Sequence, residues 1–431
     1  MPLDRQAVVS LRTEFPSLQC EANARPAVFF DGPGGTQAHA SVIEAMKRYF
    51  TVGNSYSHGA FHLSRVTDDV VSGARMALAA FVNAESAEEI VFGPNMTTLT
   101  FQVSRAIGRT LRKGDEIVVT QLDHDANVAP WLALQEQGVV IREVPFDPTD
   151  CTLLRRDLES AITQRTKLVA VGYASNAVGT INDIAEIAEM AHAVGARVYV
   201  DAVHYAPHGP MDVRRLDCDF LVCSAHKFFG PHLGILYGRR ELLETVPAYK
   251  IRPASEKAPD RFETGTLPFD ALAGATAAVG YLASVGDRFG DWTTESRGDR
   301  TSLRAHLASG LAAIRSYETE LCGTLLRGLA QIDGVTGYGI ADPARLAQRV
   351  PTVSFTIEGM PAREVAQRLD EEGIFVWDGT FYAQGIARRL DLDAKGGLVR
   401  VGLAHYSLPE EVDRLLTVLA TLTRRSREQN H

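Results

Sequence analysis

Two polar residues in this sequence stand at the ends of apolar, strand-like runs, where they could take part in catalysis. The run DFLVCSAHKFFGPHLGILYG carries Lys227 between a histidine and a Gly-Pro turn, and RVYVDAVHYAPH carries Asp201 at the end of its apolar part. Burial lowers the pKa of a lysine, and a neutral lysine can form a Schiff base with an aldehyde. A carboxylate at the carboxyl end of a parallel strand lies where α/β folds build their sites. Both residues are therefore candidates for the chemistry of a site.

A third stretch, EEIVFGPNMTTLTFQVSRAIG, predicts a strand, a turn and a helix that begins near Thr97. Backbone amides at that helix start, with the hydroxyl of Thr97 or Thr98, are suited to bind a phosphate. Pyridoxal phosphate needs an acid such as Asp201 to keep its pyridine nitrogen protonated, so that the ring acts as an electron sink. Taken singly, the three stretches also fit a surface lysine, an aspartate in a turn and a capped helix.

The elements that must position these residues alternate between strand-like and helical patterns from about Ala27 to Gly238. Short β-rich runs occur at AVFF, EEIVF, DEIVVT, VVIREV, KLVAVGY, RVYVDA, DFLVCS and GILYG. Helical patterns lie between many of them, at Val66–Val82, Thr97–Leu111 and Ile184–Val194. Such alternation predicts an α/β domain with a mostly parallel sheet.

The remainder of the chain predicts a second, smaller domain. The segment KIRPASEKAPDRFETG lacks apolar periodicity and is expected to be a loop, and the helical stretch Phe269–Ser284 leads out of the large domain. Amphipathic helices are expected at Arg300–Ile332, Ala362–Glu372 and Pro409–Arg425, with the strand-like runs TVSFTI, GIFVW and LVRVGL between them. We therefore predict an N-terminal segment (1–26) that packs on the small domain, a large domain (27–285) and a small α+β domain (286–431).

The composition is that of a globular protein, with 431 residues, 45% of them apolar and 23% charged. The net charge of −9 argues against nucleic acid or an anionic membrane as a partner. No apolar run reaches the roughly 20 residues that cross a bilayer, and the N-terminus lacks the apolar region of a signal peptide. The five cysteines show no CxxC spacing, which predicts no metal site. We therefore expect a cytoplasmic protein.

The stretches resemble, in order, the class V aminotransferases of fold type I, and most closely the cysteine desulfurase and selenocysteine lyase branch. The resemblance runs from about Phe29 to Asp413. It implies a large domain with a mostly parallel seven-stranded sheet between helices, plus a smaller α+β domain. SAHKFFGPHLGILYG is similar to the family's Ser-x-His-Lys signature, which makes Lys227 the lysine that holds pyridoxal 5'-phosphate as a Schiff base. Ser224 and His226 would contact the cofactor, Ser224 through its phosphate.

Other segments resemble the family's cofactor-binding segments. The run DAVH stands where the family has Asp-x-x-Gln, so Asp201 would pair with the pyridine nitrogen, and His204, near the ring hydroxyl, could titrate near neutrality. LDHDANVAPW assigns His124 to stacking on the ring, and GYASNAVGT assigns Asn176 to the ring oxygen and the substrate. The remaining implied cofactor contacts are Asn95, Met96 and Thr97, and, in the site of the partner subunit, Gly265 and Thr266 of RFETGT. The resemblance thus implies a homodimer with shared active sites.

The substrate-binding segments both match the family and depart from it. GLVRVGLAHYSLPEEVD resembles the family's C-terminal pattern, which makes Arg400 the bidentate clamp for a substrate α-carboxylate. FFDGPGGTQ replaces the family's Asp-x-Ala-Ala-Ser, and its Gly34 and Gly35 are expected to free space near that carboxylate. In GNSYSHGAFHLS, a segment that reaches into the partner's site, His58 stands where an arginine is common.

The largest departure lies in WDGTFYAQG. Desulfurases carry a cysteine in this loop, in a Gly-x-x-Cys-Ala-Gln pattern, and its thiolate removes the substrate sulfur as a persulfide. Here the glycine, alanine and glutamine match, but Tyr382 stands at the cysteine position. Tyrosine cannot accept a sulfane sulfur, although its hydroxyl can donate a hydrogen bond or act as a late acid.

We therefore predict a pyridoxal-phosphate enzyme that acts on a small amino-acid substrate, with Lys227, His124 and Tyr382 as its catalytic residues. The simplest reaction is β-elimination of a cysteine S-conjugate or cystine, in which Phe381 and Tyr382 line the leaving-group pocket. Aminotransfer, epimerisation at Cα, decarboxylation or oxidative deamination in secondary metabolism are alternatives that use the same lysine, and motifs do not separate them. A cofactor-binding pseudoenzyme is the hypothesis from another class, and the intact cofactor residues argue against it.

Overall fold

The structure is a computed structural model that describes residues 2–290, 301–392 and 396–429, with side chains described through residue 424. Its strands are β1 (Glu21–Ala22), β2 (Arg25–Pro26), β3 (Val28–Phe29), β4 (Ile90–Gly93), β5 (Glu116–Thr120), β6 (Val140–Val144), β7 (Phe146–Asp147), β8 (Thr152–Leu153), β9 (Thr166–Gly172), β10 (Arg197–Asp201), β11 (Phe220–Ser224), β12 (Gly234–Gly238), β13 (Val335–Tyr338), β14 (Thr352–Ile357), β15 (Ile374–Phe375), β16 (Trp377–Gly379) and β17 (Leu398–Gly402). Its helices are α1 (Arg5–Arg12), α2 (Ala40–Arg48), α3 (His62–Val82), α4 (Met96–Gly108), α5 (Ala129–Leu132), α6 (Arg155–Ala161), α7 (Ile184–His192), α8 (Val213–Leu216), α9 (Arg240–Thr245), α10 (Phe269–Phe289), α11 (Leu303–Leu329), α12 (Ala362–Glu371), α13 (Gln384–Arg389) and α14 (Pro409–Gln429).

The largest sheet contains seven strands in the order β4-β12-β11-β10-β9-β5-β6. Neighbouring strands are parallel except at β12, which is antiparallel to both β11 and β4. Alternate residues of β11 belong to different core clusters: Leu221 and Cys223 pack on one face, Phe220 and Val222 on the other. Burial on both faces explains why these strands read as continuous apolar runs. The predicted α/β fold with a mostly parallel seven-stranded sheet is confirmed.

The carboxyl ends of the parallel strands place the polar residues of the sequence motifs at one edge of the sheet. Asp201 ends β10 and Ser224 ends β11, and the two strands pair in parallel over three residues, with Asp201 opposite Val222. The strands β4, β5 and β9 run in the same direction and end at the same edge. Ligand sites of open α/β sheets lie outside this edge. The loops after five strands therefore converge there.

A second sheet has four antiparallel strands in the order β13-β14-β17-β16. Its strand β17 carries Arg400, which lies opposite Ser354 of β14 and Trp377 of β16. The N-terminal segment contacts this part of the chain, for example through the Arg12–Glu411 ion pair at 2.9 Å. The domain boundaries that the sequence indicates stay a prediction.

The long helices differ slightly in length from their sequence patterns. The helix expected at Phe269–Ser284 continues to Phe289. The helix expected from Arg300 has its predicted start outside the described residues, and α11 spans Leu303–Leu329. Among the residues that the structure describes, α10 is long and apolar enough to cross a membrane, but 61% of its most apolar window is buried inside the protein. Such burial is typical of a core helix.

Candidate active site

A cavity of about 450 Å³ lies at the carboxyl edge of the large sheet, between that edge and the four-stranded sheet. The structure brings most of the sequence-predicted site residues together in its wall. These are Gly34, Asn95, Met96, Thr97, His124, Asn176, Asp201, His204, Ser224, His226, Lys227, Phe381, Tyr382 and Arg400. Segments separated by hundreds of residues thus build one site.

Three predicted site residues do not line this cavity. The His58 side chain is 87% exposed and pairs with Asp68, Nδ1 to Oδ1 at 3.2 Å. Gly265 and Thr266 are also exposed. All three were expected to act in the site of a partner subunit, so their exposure in a single chain leaves that prediction as it stands.

Lys227 is half-buried in the wall of the cavity. Its Nζ donates hydrogen bonds to the backbone oxygens of Pro33 at 2.5 Å and Gly34 at 2.8 Å. Burial and the positive charge of Arg400 together lower the pKa of Lys227 to about 8, while Asp201 acts in the opposite direction. The fold therefore increases the fraction of neutral, nucleophilic amine, as the sequence led us to expect.

This lowered pKa predicts the reactivity of Lys227 in cofactor-free protein. Its reaction with an aldehyde and a hydride donor is expected to reach half of its maximal rate near pH 8. In Arg400→Gln the midpoint should move to higher pH, because one positive charge that disfavours the ammonium form is removed. Peptide mass spectrometry across a pH series measures the reaction, with the exposed Lys47 as an internal reference. Modification of both lysines over the same pH range would contradict the prediction.

Two buried carboxyl groups, Asp201 and Asp123, lie close enough to influence each other. Asp201 Oδ1 accepts a hydrogen bond from Val203 N at 2.9 Å, and its Oδ2 has no hydrogen-bond partner within the described part of the chain. Asp123 accepts hydrogen bonds from the Thr120 hydroxyl and, at 2.8 Å, from Asn127 Nδ2. Burial raises the pKa of Asp201 to about 6, and burial with the negative charge of Asp201 raises that of Asp123 to about 7. At pH 7 Asp201 is thus mostly ionised, with one oxygen free to accept a donor.

Burial keeps the three histidines that line the cavity, His124, His204 and His226, neutral. His124 Nδ1 accepts from Ala126 N at 3.0 Å, which caps a short turn and leaves its proton on Nε2. Burial lowers the pKa of His124 and of His226 to about 4. The expectation that His204 titrates near neutrality is wrong, because burial holds its pKa well below the usual range. His204 Nε2 instead lies 2.9 Å from the Thr352 hydroxyl.

The amino end of α4 opens onto the cavity, as the third motif predicted. Asn95 caps the helix, since its Oδ1 accepts from Thr98 N at 2.9 Å. The amide of Met96 donates to Ser224 Oγ at 3.1 Å, which ties the helix start to the end of β11. The Ser224 hydroxyl keeps its own hydrogen for another acceptor. Helix amides and a hydroxyl at one place suit an anionic group.

Arg400 is buried in the part of the cavity wall that the four-stranded sheet forms. Its guanidinium donates to the backbone oxygen of Asn176 at 2.9 Å and lies 4.1 Å from the centre of the Phe381 ring. Burial lowers the pKa of Arg400 to about 9, although the nearby Asp31 opposes this, so the side chain is cationic at neutral pH. Arg400 Nε has no hydrogen-bond partner among the described residues. A buried cation with a free donor is suited to bind a carboxylate.

The loop after β16 brings Tyr382 to the cavity in an unusual backbone conformation. Phe381 and Tyr382 have φ angles of 57° and 56°, in the left-handed region that costs non-glycine residues about 1–2 kcal/mol each. Their carbonyls are held from outside the loop: Asn176 Nδ2 donates to Phe381 O at 2.9 Å, and Asp125 N donates to Tyr382 O at 2.8 Å. Tyr382 is 71% exposed, and its ring centre lies 5.5 Å from that of His124. The loop is therefore built to present this side chain.

The expectation that Gly34 and Gly35 free space beside the substrate is wrong for Gly34. A Cβ atom built on Gly34 would lie 2.3 Å from Trp377 Nε1, so the indole fills the space that glycine leaves. The Trp377 Nε1 donates to Asp31 O at 3.0 Å. A Cβ on Gly35 would meet only an ordinary contact, 3.7 Å from His226.

Three acidic residues and one aromatic residue in or near the described part of the site were not singled out from the sequence. Asp123, Trp377 and Asp378 line the cavity, and the charge of Asp31 acts on Arg400. Asp123 follows a buried strand, which is the same signal that indicated Asp201, and it could have been found by that rule. Trp377 belongs to the stretch WDGTFYAQG, which the sequence had indicated because of Tyr382. Only the register of β16 against β17 places Trp377 beside Arg400.

The cavity lining, as far as the structure describes it, contains no cysteine. All five cysteines of the chain are free thiols, with Cys20 exposed and the others buried. Burial also raises the pKa of Cys151 to about 11, which disfavours the thiolate. The site therefore offers a phenol, but no thiol, at the loop.

Comparison with known proteins gives consistent matches over nearly the whole chain. The family model for aminotransferase class V matches residues 28–289 and 298–415. A protein of Synechocystis sp. named as a probable cysteine desulfurase is 34% identical over 421 residues, covering 96% of this chain and 95% of that protein. A cysteine desulfurase of Escherichia coli O127:H6 is 32% identical over 434 residues, covering 97% of this chain and 98% of that protein.

Solved structures agree with this similarity. The apo structure of a cysteine desulfurase from Thermococcus onnurineus NA1 superposes with a TM-score of 0.83 at 28% identity, covering 96% of this chain and 98% of that one. The cysteine desulfurase CsdA of Escherichia coli, solved with an S-sulfonic acid, superposes with a TM-score of 0.79 at 25% identity, covering 98% of each chain.

Proposed function

This chain belongs to the class V aminotransferase family, and from that premise we propose that it cleaves the C–S bond of S-substituted cysteines by β-elimination. Members of the family use pyridoxal phosphate and act on amino acids. The main support for β-elimination is Tyr382, which stands where desulfurases carry the loop cysteine. The described residues that line the cavity include no cysteine.

The side chains around the cavity fit this cofactor in charge and in hydrogen-bonding groups. Lys227 offers a buried amine for its aldehyde, and Asp201 Oδ2 offers an anionic acceptor for its ring nitrogen. The amino end of α4 and the Ser224 hydroxyl offer donors for its phosphate. His226 Nδ1 and Asn176 Oδ1 are buried without a hydrogen-bond partner in the described residues, so a bound molecule would satisfy them.

Each of three residues has a separate task in the proposed reaction. When bound, pyridoxal phosphate supplies an electron sink that acidifies the Cα proton and allows a β-substituent to leave. Arg400 would bind the substrate α-carboxylate through its free guanidinium donors. Lys227 Nζ would take the Cα proton, since a pKa of about 8 leaves roughly a tenth of the amine neutral at pH 7. Asp201 would hold the proton on the ring nitrogen by accepting its hydrogen bond.

The proposed reaction balances without a sulfur acceptor on the chain. The Cα–H and C–S bonds of R–S–CH₂–CH(NH₃⁺)–COO⁻ break, and R–SH and 2-aminoacrylate form. Water then converts 2-aminoacrylate into pyruvate and ammonium. A desulfurase needs a thiolate to take the sulfur, whereas elimination needs only a base and an electron sink, and Lys227 would supply the base.

Product analysis tests the proposal directly. Holoenzyme incubated with an S-alkyl- or S-arylcysteine is expected to release pyruvate and free thiol in equal amounts, without an added keto acid. Lys227→Ala serves as the inactive control. Strict dependence of turnover on a keto acid would instead indicate aminotransfer, and loss of Cα stereochemistry without pyruvate would indicate epimerisation; either result would sink the lyase proposal.

The variant Tyr382→Cys tests whether this loop occupies the position of a sulfur-carrying loop. With L-cysteine as substrate, the new thiol is expected to attack the substrate sulfur, so that alanine leaves and a persulfide stays on residue 382. The side chain is exposed beside the cavity, which gives the thiol access. A Cys20→Ser background removes the exposed native thiol. Mass spectrometry that finds alanine without a persulfide on the loop would count against the assignment.

The expected cytoplasmic homodimer remains part of the proposal. The free state of all five thiols fits a reducing compartment. The exposure of His58, Gly265 and Thr266 fits residues that act in a neighbouring subunit's site. Their substitution would then reduce activity without touching the cavity of their own chain.

A further inference from the structure

Trp377 lies beside the residue that would bind the substrate carboxylate. It stands opposite Arg400 in the register of β16 and β17, and both residues line the cavity. Side chains that face each other across antiparallel strands project from the same face, with Cβ atoms about 4.5–5.5 Å apart. A ligand whose carboxylate reaches Arg400 therefore brings its next atoms against the indole.

The indole of Trp377 is held in place although it is 46% exposed. Its Nε1 donates to Asp31 O at 3.0 Å, and its ring edge packs on the bare Cα of Gly34. An alanine at position 34 would overlap three indole atoms, at 2.3, 2.7 and 2.9 Å. The indole of Trp377 therefore stays partly exposed at the cavity, and this arrangement requires a glycine at position 34.

Two more aromatic rings complete this surface. Phe381 covers the guanidinium of Arg400 at 4.1 Å, and Tyr382 projects into solvent beside His124. Phe381 and Tyr382 are held by contacts to their backbone, so their rings stay at the mouth. Three aromatic rings along one cavity wall, of which those of Trp377 and Tyr382 are exposed, favour a ligand with a flat apolar group.

The acidic residue next to Trp377 in the chain is already paired. Asp378 lines the cavity, and its Oδ2 lies 2.8 Å from Arg363 Nε. A cationic substituent would therefore have to compete with Arg363 for this carboxylate. A neutral group meets no such competition.

We propose that Trp377, Phe381 and Tyr382 form a subsite for a neutral aromatic substituent on the β-carbon of the amino-acid substrate, with Trp377 as the residue that determines specificity. This assignment rests on the proposed function, because it is Arg400 binding the α-carboxylate that directs the side chain toward Trp377. It names S-aryl and S-arylalkyl cysteines as the substrate class.

Equilibrium binding to the holoenzyme tests the subsite without chemistry. The probes are three carboxylates without an amino group: phenylpropanoate, cyclohexylpropanoate and butanoate. By calorimetry, phenylpropanoate is expected to bind about tenfold more tightly than butanoate and about threefold more tightly than cyclohexylpropanoate, which has similar apolar area but no π face. Equal binding of the two ring compounds would overturn the aromatic assignment.

Variants test whether Trp377 causes the preference for phenylpropanoate over cyclohexylpropanoate. In Trp377→Leu the ratio between phenylpropanoate and cyclohexylpropanoate should fall to about one, and Trp377→Phe should restore most of it. Gly34→Ala should act like Trp377→Leu, because it displaces the indole. Gly73→Ala is the control and should bind like the native protein, because Gly73 does not line the cavity and a Cβ there would meet no atom within 4 Å. Arg400→Gln should weaken all three ligands alike. A preference that survives in Trp377→Leu would overturn the proposal.

The binding test and the product test fail separately. Absence of pyruvate with an intact preference for phenylpropanoate would reject the lyase reaction and keep the aromatic subsite. Pyruvate formation without that preference would reject the subsite and keep the lyase reaction. Circular dichroism of each variant confirms that the fold is retained.

Discussion

Lys227→Ala will no longer keep pyridoxal phosphate attached to the chain after borohydride reduction, and its turnover of amino acids will fall by about 10³-fold or more. Two losses combine in this variant: the amine that would bind the cofactor aldehyde, and the base that would remove the Cα proton. The native protein should gain the mass of one reduced cofactor on the peptide that contains Lys227. The variant should gain none.

Lys250→Ala provides a matched control for this experiment. Lys250 is also largely buried, with its Nζ 2.9 Å from Ala254 O and paired with Glu256, but it does not line the cavity. Its loss should leave the borohydride adduct and the turnover in place. A borohydride-stable adduct on another lysine of Lys227→Ala would refute the assignment of the site.

Asp201→Asn is expected to lower turnover by about 10²–10³-fold, because a neutral amide does not hold a proton on the ring nitrogen as a carboxylate does. The same change should stabilise the cofactor-free protein. Burial raises the pKa of Asp201 from 3.8 to about 6, so above pH 6 the folded state carries a charge that the unfolded state solvates better. About two pKa units correspond to about 3 kcal/mol, which is the upper bound of the gain.

The raised pKa of Asp201 also determines how the stability difference between the native protein and Asp201→Asn changes with pH. The folded pKa is raised, so the destabilisation is absent where both states are protonated, appears as the pH rises from about 4 to about 6, and stays constant above. The advantage of Asp201→Asn in the free energy of unfolding should therefore be full at pH 7 and shrink as the pH is lowered below 6. The Val203 amide can still donate to the asparagine oxygen, so the local fold is kept.

Urea unfolding of cofactor-free protein at several pH values measures the stability, and an absorbance titration of the holoenzyme reports the ring nitrogen. A variant that loses activity and stability together would indicate a structural role for Asp201. Unchanged spectra and activity would show that this carboxylate does not face the cofactor ring.

Much of the site was predictable because its residues occupy local patterns. Lys227 and Asp201 follow apolar strand-like runs, and the order of strands and helices already indicated an α/β fold whose strand ends lie together. Asn95 caps the helix α4, whose start the Gly-Pro-Asn turn predicted. In each case the signal is a pattern of apolar and polar residue types over a few neighbouring positions, so a short stretch of sequence contains it.

Other features depended on distances that no local pattern encodes. Asn176 holds Phe381 through a hydrogen bond between residues 205 positions apart, and Lys227 donates to Pro33 across 194 positions. Glycine at position 34 suggested open space, but the chain returns more than 340 residues later and fills it with Trp377. His204 looked able to titrate near neutrality, but its burial between distant segments lowers its pKa well below the usual range.

The sequence by itself determined the fold class, the family and the residues able to bind an aldehyde, a ring nitrogen and a carboxylate, because strand periodicity, strand-end polar residues and motif order are local properties of the chain. Only the tertiary structure decided how these groups behave. Burial sets the pKa values of Lys227 and Asp201, and the register of β16 against β17 sets Trp377 beside Arg400. Both arise from packing between distant segments, since solvent exclusion and strand pairing exist only once those segments meet.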